Sequence, residues 1–420
     1  MIKNLDKKIR AYALKNAIAY NGKANSGSVL SSLFNEGLKK EEVNGIMPKI
    51  QQVIKEIEKL SLSEQEKEYE KLHEVISERH GREGLPELPN AKKGKVIMRF
   101  RPAPSGPLHV GHIISNLASS LYVKKYGGKF YVIIDDTDPE TTVLESYKRI
   151  KEDCDWIFGN VHKYLNSSDM VENHYEYAEK LIKKDSAYVC ICSQENFKKF
   201  SLEKRNCPCR NLSVKENLER WKKMLGKKGY RFSQVQSVSS KLGQYKEGEA
   251  VLRFKTPNEF GGMSHKNPAM RDFPLARINV KSHPIQKNKY RVWPLMNLAV
   301  AVDDMEYRMT HIIRGKDHKD NAERQKMMFK VFNKEYPWTF FIGRIKFTDL
   351  VLSKRKISSL IKAGEFSGHD DEKLPTISSL KKRGYKPETF VKFIEQRGLT
   401  GVDKVISGKD FFESLDVFNR

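Results

Sequence analysis

The sequence predicts an α/β protein in which a parallel sheet is split by a basic insertion and flanked by helical regions. A strand, a helix and a second strand follow one another in KVIMRFRPAPSG, GHIISNLASSLYVKKYGG and KFYVIIDDTDP, the order of a βαβ unit. A basic, loop-rich segment spans residues 186–289, after which strand-like patterns return in YRVWPLMNLAVAVDD and MTHIIRGKDH. The ligand of such a sheet is expected at the carboxyl ends of its strands.

Helical patterns dominate both ends of the chain. In the first part, NGKANSGSVLSSL indicates a loop entering a helix, and IMPKIQQVIKEIEKLSLSEQEKEYEKLHEVI has apolar residues at helical spacing. The stretch HGREGLPELPNAKKGK mixes Gly, Pro and charge and predicts a linker. At the other end, KISSLIKAG, TISSLKKRG and PETFVKFIEQRG predict short helices. The expected domains are 1–92, 93–185 with 290–349, 186–289, and 350–420.

The composition favours a polyanionic partner and argues against a membrane protein. The 420 residues carry a formal net charge of +24, and residues 181–230 hold 13 Lys or Arg against 5 Asp or Glu. A basic surface gains free energy by displacing counterions from phosphates, although an excess of lysine also keeps a protein soluble. The charged start, MIKNLDKKIRAYALK, is unlike a secretory signal. We therefore expect a cytoplasmic location, with no membrane segment.

The sharpest motif lies where the first strand meets its helix, in RFRPAPSGPLHVGH. The start of a helix offers unpaired N–H groups and the positive end of the helix dipole, which suit phosphate. Gly106 allows the turn, and Gly111 leaves room for a flat base. His109 and His112 stand three residues apart and could both donate to phosphoryl oxygens, although a purely structural pair fits the same spacing.

A second motif, LVLSKRK at residues 350–356, follows a predicted strand. The Gly-rich loop of the GxxxxGK[ST] type is absent from the sequence. A lysine here could neutralise charge that develops on a pyrophosphate leaving group. A solvated basic turn is the alternative explanation.

These two segments, in this order, resemble the HIGH and KMSKS signatures of class I aminoacyl-tRNA synthetases. The chain resembles more narrowly the archaeal-type glutamyl-tRNA synthetases. Further segments carry the resemblance from about Ala11 to about Leu399: ALKNAIAYNGKANSGSVL, KKYGGKFYVIIDDTDP, HKNPAMRDFPLARI, NLAVAVDD and THIIRGKDHKDN. The resemblance implies a Rossmann-type catalytic domain, an inserted acceptor-stem domain and a helical stem-contact region.

The resemblance also implies which residues bind ATP with its Mg²⁺. Lys354 is implied to stabilise the α-phosphate and the departing pyrophosphate, and His109 and His112 to act with it in catalysis. The first KMSKS position is Val351, as in glutaminyl-type relatives. Mg²⁺ is expected to be held largely by the phosphates. The implied ATP-binding residues are Ala103, Pro104, Ser105, His109, Gly111, His112, Arg344, Ile345, Leu352, Ser353 and Lys354.

For the amino acid, the resemblance implies that Arg99 and Arg314 face the side chain and that Asp135 pairs with the α-ammonium group. Arg314 stands in THIIRG, where glutamine-specific relatives have an uncharged residue. A neutral amide would leave a buried guanidinium unpaired, so this arginine favours L-glutamate. Met296 occupies a position that is usually aromatic in the family. Because methionine has no hydroxyl group, either the substrate side chain is selected less strictly, or its selection depends more on the two arginines.

Four of the five cysteines form two C-x-C pairs, Cys190 with Cys192 and Cys207 with Cys209. Four soft thiolates in two paired turns suit tetrahedral structural Zn²⁺, with free thiols as the alternative. Cys154 lies in a helical pattern and is predicted to be a core cysteine.

The predicted activity is ATP-dependent ligation of L-glutamate to tRNA through glutamyl-adenylate. Family members continue into β-barrel anticodon-binding domains, and no segment here corresponds to them, so contacts with the acceptor end of tRNA are expected to dominate. A monomer is the favoured state. Two alternatives remain: a shortened paralogue that transfers glutamate to another acceptor, such as a modified tRNA base, and a non-catalytic tRNA-binding regulatory module.

Overall fold

The computed structural model of the chain describes residues 4–76, 84–226 and 243–419, without the side chains of Lys40, Lys354 and Arg355. The chain divides into two compact units, Met1–Gly81 and Arg82–Arg420. Part of the predicted linker and residues 227–242 of the basic segment lie outside the described residues. No helix in the described ranges is long and apolar enough to cross a membrane.

The first unit is helical in its described part, as predicted. Asn25 caps the second helix by accepting hydrogen bonds from the backbone N–H groups of Gly27 and Ser28. At the start of the fourth helix, Ser61 and Glu64 form a reciprocal capping box. The long apolar run of the sequence is therefore divided into two helices. The helices are α1 Leu5–Ala19, α2 Ser26–Asn35, α3 Val43–Ile57 and α4 Leu62–Leu72.

The second unit begins with the predicted βαβ pattern, which is confirmed. The three strands pair in parallel in the order β1-β2-β3. Gly127 ends α5 in the left-handed conformation (φ 69°). The elements are β1 Ile97–Phe100, α5 Val110–Tyr126, β2 Lys129–Ile134, α6 Glu145–Phe158, β3 Val161–Asn166 and α7 Val171–Lys183.

The middle of the chain forms an antiparallel sheet in the order β4-β5-β6-β7. The predicted insertion ends at residue 289, but the last strand of this sheet lies just after it. The sheet therefore includes residues of the segment YRVWP, which was predicted to belong to the catalytic domain. The elements are β4 Ala187–Cys190, α8 Gln194–Leu202, α9 Val214–Leu225, β5 Val251–Phe254, β6 Pro274–Ile278 and β7 Val292–Pro294.

The chain then returns to the parallel layer. Thr310 N donates to Ile97 O at 3.0 Å, which places the next strand beside β1. The expectation of a strand over LMNLAVAVDD was wrong, because this segment is a helix with nine buried residues. A helix buried on all sides has a continuous apolar run that looks like a buried strand. The elements are α10 Met296–Glu306, β8 His311–Gly315, α11 Lys319–Val331 and β9 Trp338–Ile342, with β8 and β9 parallel.

The last part of the chain contains short helices, as predicted, and a two-stranded parallel sheet. Val110 N donates to Pro375 O and Ile377 N donates to Leu108 O, so this region is paired with the loop that enters α5. Cys154 on α6 is buried in the shared core, as predicted. The elements are β10 Ile345–Phe347, α12 Lys354–Lys362, α13 Ile377–Lys382, α14 Pro387–Arg397, β11 Lys404–Ile406 and α15 Gly408–Asp416.

The buried carboxylate of Asp303 connects α10 to the residue that follows β1, to the turn after β3 and to α7. It accepts hydrogen bonds from Arg101 Nη1 (2.6 Å), Ser167 Oγ (2.8 Å) and His174 Nε2 (2.8 Å). Burial opposes ionisation of Asp303, but the charges of Arg101 and His174 outweigh it and lower its pKa to about 2. The ionised carboxylate therefore stabilises the folded chain.

This pKa predicts how stability depends on pH. We expect Asp303→Asn to lower the free energy of unfolding by about 3 kcal/mol at pH 7, because the buried Arg101 loses the closer of its two carboxylate partners. An unfolded Asp titrates near pH 3.9, so the difference between the two proteins should hold down to about pH 4 and narrow below it. Urea denaturation of both proteins from pH 7 to pH 3 measures it. A difference that widens on acidification contradicts the assignment.

Two neighbouring glycines between α5 and β2 make a matched pair for a packing test. A Cβ at Gly128 would lie 1.9 Å from Val96 O, whereas one at Gly127 meets nothing within 4 Å. We expect Gly128→Ala to cost about 3 kcal/mol or more through overpacking, and Gly127→Ala about 1 kcal/mol through its positive φ alone. Urea denaturation of both variants gives the comparison, and equal losses would argue against the close approach to Val96.

Candidate active site

A cavity of about 340 Å³ opens at the carboxyl ends of β1, β2 and β8, beside the first turns of α5 and α10. This is where a parallel sheet of this type places its ligand. Seven of the predicted site residues line it: Arg99, Ala103, Ser105, His112, Asp135, Met296 and Arg314. The lining is completed by Phe100, Arg101, Pro102, Ser115, Asn116, Val300, Ile313, Gly315 and His318.

The histidines of the first motif cap α5 reciprocally. His109 is the N-cap, and its Nδ1 accepts from Gly111 N at 3.2 Å, while His112 Nδ1 accepts from His109 N at 3.1 Å. The spacing of three residues is what such a capping box requires. Because Nδ1 accepts in both rings, a neutral ring carries its proton on Nε2, the tautomer that can donate to a phosphate oxygen. His112 lines the cavity, and His109 lies behind it with the ring centroids 3.9 Å apart.

The second motif meets this turn through Leu352. A Cβ added at Gly111 would lie 3.0 Å from His109 Cε1 and 3.7 Å from Leu352 Cδ1, so a larger residue would require the His109 ring to shift slightly. Ser353 caps α12, its Oγ accepting from Lys356 N. Lys354 is the first residue of α12, and its side chain lies outside the described residues.

Three more of the predicted ATP-binding residues, Arg344, Ile345 and Pro104, lie outside the cavity lining. Arg344 N donates to Asp403 Oδ1 at 2.9 Å, and Ile345 pairs with Lys404 across β10 and β11. Pro104 is buried, and its carbonyl accepts from Val143 N. Their roles toward ATP stay predictions.

Two consecutive acids on α10 hold the two arginines at the end of β1. Arg99 Nη2 donates to Asp304 Oδ2 at 2.7 Å and its Nε to Oδ1 of the same carboxylate, which compensates the charge of Arg99. Arg101 bonds both Asp303 and Asp135, and although burial opposes its charge, these carboxylates raise its pKa. Sequence reasoning missed Arg101, Asp303 and Asp304. The available signal was the acid pair that closes the apolar run NLAVAVDD.

Arg314 differs from the other two arginines because it forms no ion pair within the described ranges. It is 8% exposed, its Nη1 donates to Gln325 Oε1 at 2.9 Å, and its Nε is buried without a partner. Burial and the neighbouring charge of Arg99 lower the pKa of Arg314. A desolvated guanidinium at the wall of a cavity is a strong site for an anionic ligand.

Asp135 brings a negative charge to the lining of the cavity. Its carboxylate is 22% exposed and accepts one hydrogen bond from Arg101 Nη2 at 3.2 Å. Its backbone N–H donates to Pro102 O, which fixes the residue at the end of β2. Met296, the first residue of α10, is half-buried at the same cavity. The cavity thus offers an anion site and a cation site, as a zwitterionic ligand with a second carboxylate requires.

The four paired cysteines come together in the antiparallel part of the chain. Their sulfurs all lie within 4.8 Å of one another, and the distances Cys190 to Cys207 and Cys192 to Cys209 are both 3.9 Å. Sulfurs at the corners of a zinc tetrahedron, with Zn–S bonds of about 2.3 Å, lie about 3.8 Å apart. The donor set therefore fits zinc. Arg220 Nη1 donates to Cys209 Sγ at 3.3 Å, a contact that favours the thiolate.

Comparison with solved structures supports the fold. The glutamate tRNA ligase of Elizabethkingia meningosepticum, solved in complex with its amino acid, has a TM-score of 0.51 at 21% identity, covering 77% of this chain and 69% of that one. Glutamate-tRNA synthetase from Elizabethkingia anophelis has a TM-score of 0.50 at 20% identity, covering 77% and 70%.

Sequence comparison extends over nearly the whole chain. A protein of Methanocaldococcus jannaschii named glutamate–tRNA ligase is 39% identical over 409 residues, 97% of this chain and 70% of that protein. The glutamate–tRNA ligase of Pyrococcus horikoshii is 40% identical over 420 residues, 97% of this chain and 69% of that protein. Residues 95–416 match the family described as "tRNA synthetases class I (E and Q), catalytic domain". With the parallel sheet, the capped histidine motif and the charged cavity at the strand ends, this chain belongs to the class I tRNA synthetases of the E and Q group.

Proposed function

We propose that this chain ligates L-glutamate to tRNA through glutamyl-adenylate, in the cytoplasm. The observation that carries the amino-acid assignment is the buried Arg314, which has no carboxylate partner among the described residues. The γ-carboxylate of glutamate supplies the missing charge, whereas glutamine offers only a dipole and leaves the guanidinium uncompensated. The names of the relatives support the same substrate.

The remaining polar lining suits the rest of the amino acid. Asp135, with a partly exposed carboxylate, pairs with the α-ammonium group. Arg99 is already compensated by Asp304 and contributes to the shape and field of the pocket more than to net charge. With the γ-carboxylate at Arg314 and the α-ammonium group at Asp135, the α-carboxylate of glutamate points toward the start of α5. This is where we place ATP.

ATP binds across the two signature segments in this proposal. The start of α5, with the positive end of its helix dipole and the Nε2–H of His112, receives phosphate. An oxygen of the α-carboxylate attacks the α-phosphorus, and pyrophosphate leaves with Mg²⁺ bound to its oxygens. Lys354 stabilises the charge that develops on the phosphates. In this mechanism no protein group forms a covalent bond to the substrates. The protein accelerates the reaction by positioning the substrates and by stabilising charge.

The acceptor is the terminal adenosine of tRNA, whose 2′-hydroxyl attacks the glutamyl carbonyl and releases AMP. In the sequence, the four cysteines fall within residues 181–230, whose basic balance suits the phosphates of an acceptor stem. Transfer to another acceptor and a purely regulatory role are not favoured, because the relatives carry the name of the ligase.

The amino-acid assignment predicts the effect of Arg314→Leu on ATP–pyrophosphate exchange, measured with total tRNA present. We expect kcat/KM for glutamate to fall about a thousandfold, or about 4 kcal/mol, because the γ-carboxylate loses its charge partner. KM for ATP should change by less than about twofold, since ATP binds elsewhere. The wild-type protein should prefer glutamate to glutamine.

The exposed Arg149 on α6 provides the control, since Arg149→Leu removes the same charge from a residue outside the lining. It should leave the exchange rate near that of the wild type. Equal loss for both variants, or a wild-type preference for glutamine, would refute the role given to Arg314.

We also propose that the cysteine cluster binds one structural Zn²⁺. Purified protein should contain about one equivalent of zinc by mass spectrometry, and Cys207→Ser should lose it, because a closed four-thiolate site needs all its ligands. Cys154→Ser is the control: this thiol is buried in α6 outside the cluster, so its loss should leave the zinc content unchanged. Folded protein prepared without chelators and free of zinc would contradict the proposal.

A further inference from the structure

Gln325 lies directly behind Arg314 and holds it toward the cavity. This glutamine is fully buried on α11, and its Oε1 accepts from Arg314 Nη1 at 2.9 Å and from Tyr336 OH at 3.1 Å. An arginine can only donate, so the contact requires the oxygen of the amide on this side. Gln325 Nε2 points the other way, to Asn297 Oδ1 at 3.4 Å. The orientation of the amide is therefore chemically determined.

The neutral charge of Gln325 matters as much as its position. A glutamine oxygen orients the guanidinium of Arg314 but brings no negative charge, and the Arg314 Nε stays without a partner. Arg99, at the same cavity, faces the carboxylate of Asp304 instead. Two arginines of one cavity thus have partners of different charge. One guanidinium is neutralised by the protein, and the other keeps its charge for a ligand.

We propose that Gln325 is a specificity-determining positioning residue, which fixes Arg314 in place while leaving its charge uncompensated for the substrate. This inference rests on the proposed function, because it takes the γ-carboxylate of glutamate as the partner of Arg314. A carboxylate in place of the amide would satisfy Arg314 from within the protein. A glutamate at position 325 has the same shape as the glutamine but carries a negative charge. It would therefore stabilise the fold and weaken the selection of glutamate over glutamine as the substrate.

The main test replaces Gln325 with Glu, a change of nearly constant volume. We expect Gln325→Glu to raise the thermal denaturation temperature, since the buried Arg314 gains a counterion and the Asn297 amide can turn to donate to the new carboxylate oxygen. KM for glutamate in tRNA-dependent pyrophosphate exchange should rise about a hundredfold, and the preference for glutamate over glutamine should fall at least about tenfold. KM for ATP should stay within about twofold.

A second variant removes the acceptor without adding charge. In Gln325→Met, Arg314 keeps its charge but loses its anchor, so KM for glutamate should rise about tenfold while the preference over glutamine persists. The denaturation temperature should fall, because a buried donor is left unsatisfied. An unchanged KM for glutamate in this variant would overturn the positioning role.

Gln65 gives a control for the chemical change itself. It is fully buried in the first unit, and its Nε2 faces the carbonyls of Gly22, Ile57 and Leu60, so Gln65→Glu should destabilise the protein and leave KM for glutamate unchanged. A fall in denaturation temperature for Gln325→Glu, or failure to fold, would overturn the inference.

The same experiment separates this inference from the proposed function. If the wild-type chain activates neither amino acid, the proposed function is refuted and the inference falls with it. If the wild type activates glutamate and Gln325→Glu keeps the full preference, only the role of Gln325 is overturned.

Discussion

The structure around the cavity depends on how buried positive charge is balanced. Arg99, Arg101 and Arg314 all place guanidinium groups at the carboxyl ends of β1 and β8, where water is largely excluded. A buried cation is tolerated only with a partner, so the chain places Asp303 and Asp304 one after the other on α10. These two acids hold the helix against the sheet and thereby shape the cavity. The balance is incomplete at Arg314, and this is the reason for proposing an anionic ligand there.

Much of this arrangement follows from local sequence, and the rest does not. The βαβ unit was predictable because its strands, helix and glycine turn lie close together in the chain and each obeys a local rule. Arg314 was selected through the family resemblance, since it stands in THIIRG, where glutamine-specific relatives have an uncharged residue. In contrast, the pairing of Arg99 with Asp304 joins residues 205 positions apart. Sequence spacing carries no signal for such a contact, and α10 itself was mistaken for a strand because it is buried on all sides.

The histidine motif shows how one pattern can serve structure and chemistry together. The spacing of His109 and His112 suits phosphate at a helix start, and it equally suits a reciprocal capping box. The structure contains the capping box. Because capping engages Nδ1 of each ring, it also selects the tautomer that carries a proton on Nε2. The structural role thus prepares the rings for the chemical one, and the two explanations do not compete.

Arg314 and its surroundings carry a cost in stability that the proposed ligand would offset. The folded chain desolvates a guanidinium, gives it neutral partners in Gln325 and Tyr336 and leaves its Nε without a hydrogen bond. A carboxylate at Gln325 would remove this cost with almost no change in volume, as Asp304 does for Arg99. Binding sites commonly retain such local instability, since groups already satisfied by the protein have little left to offer a substrate. The neutral glutamine is therefore consistent with a cavity whose charge is completed by glutamate.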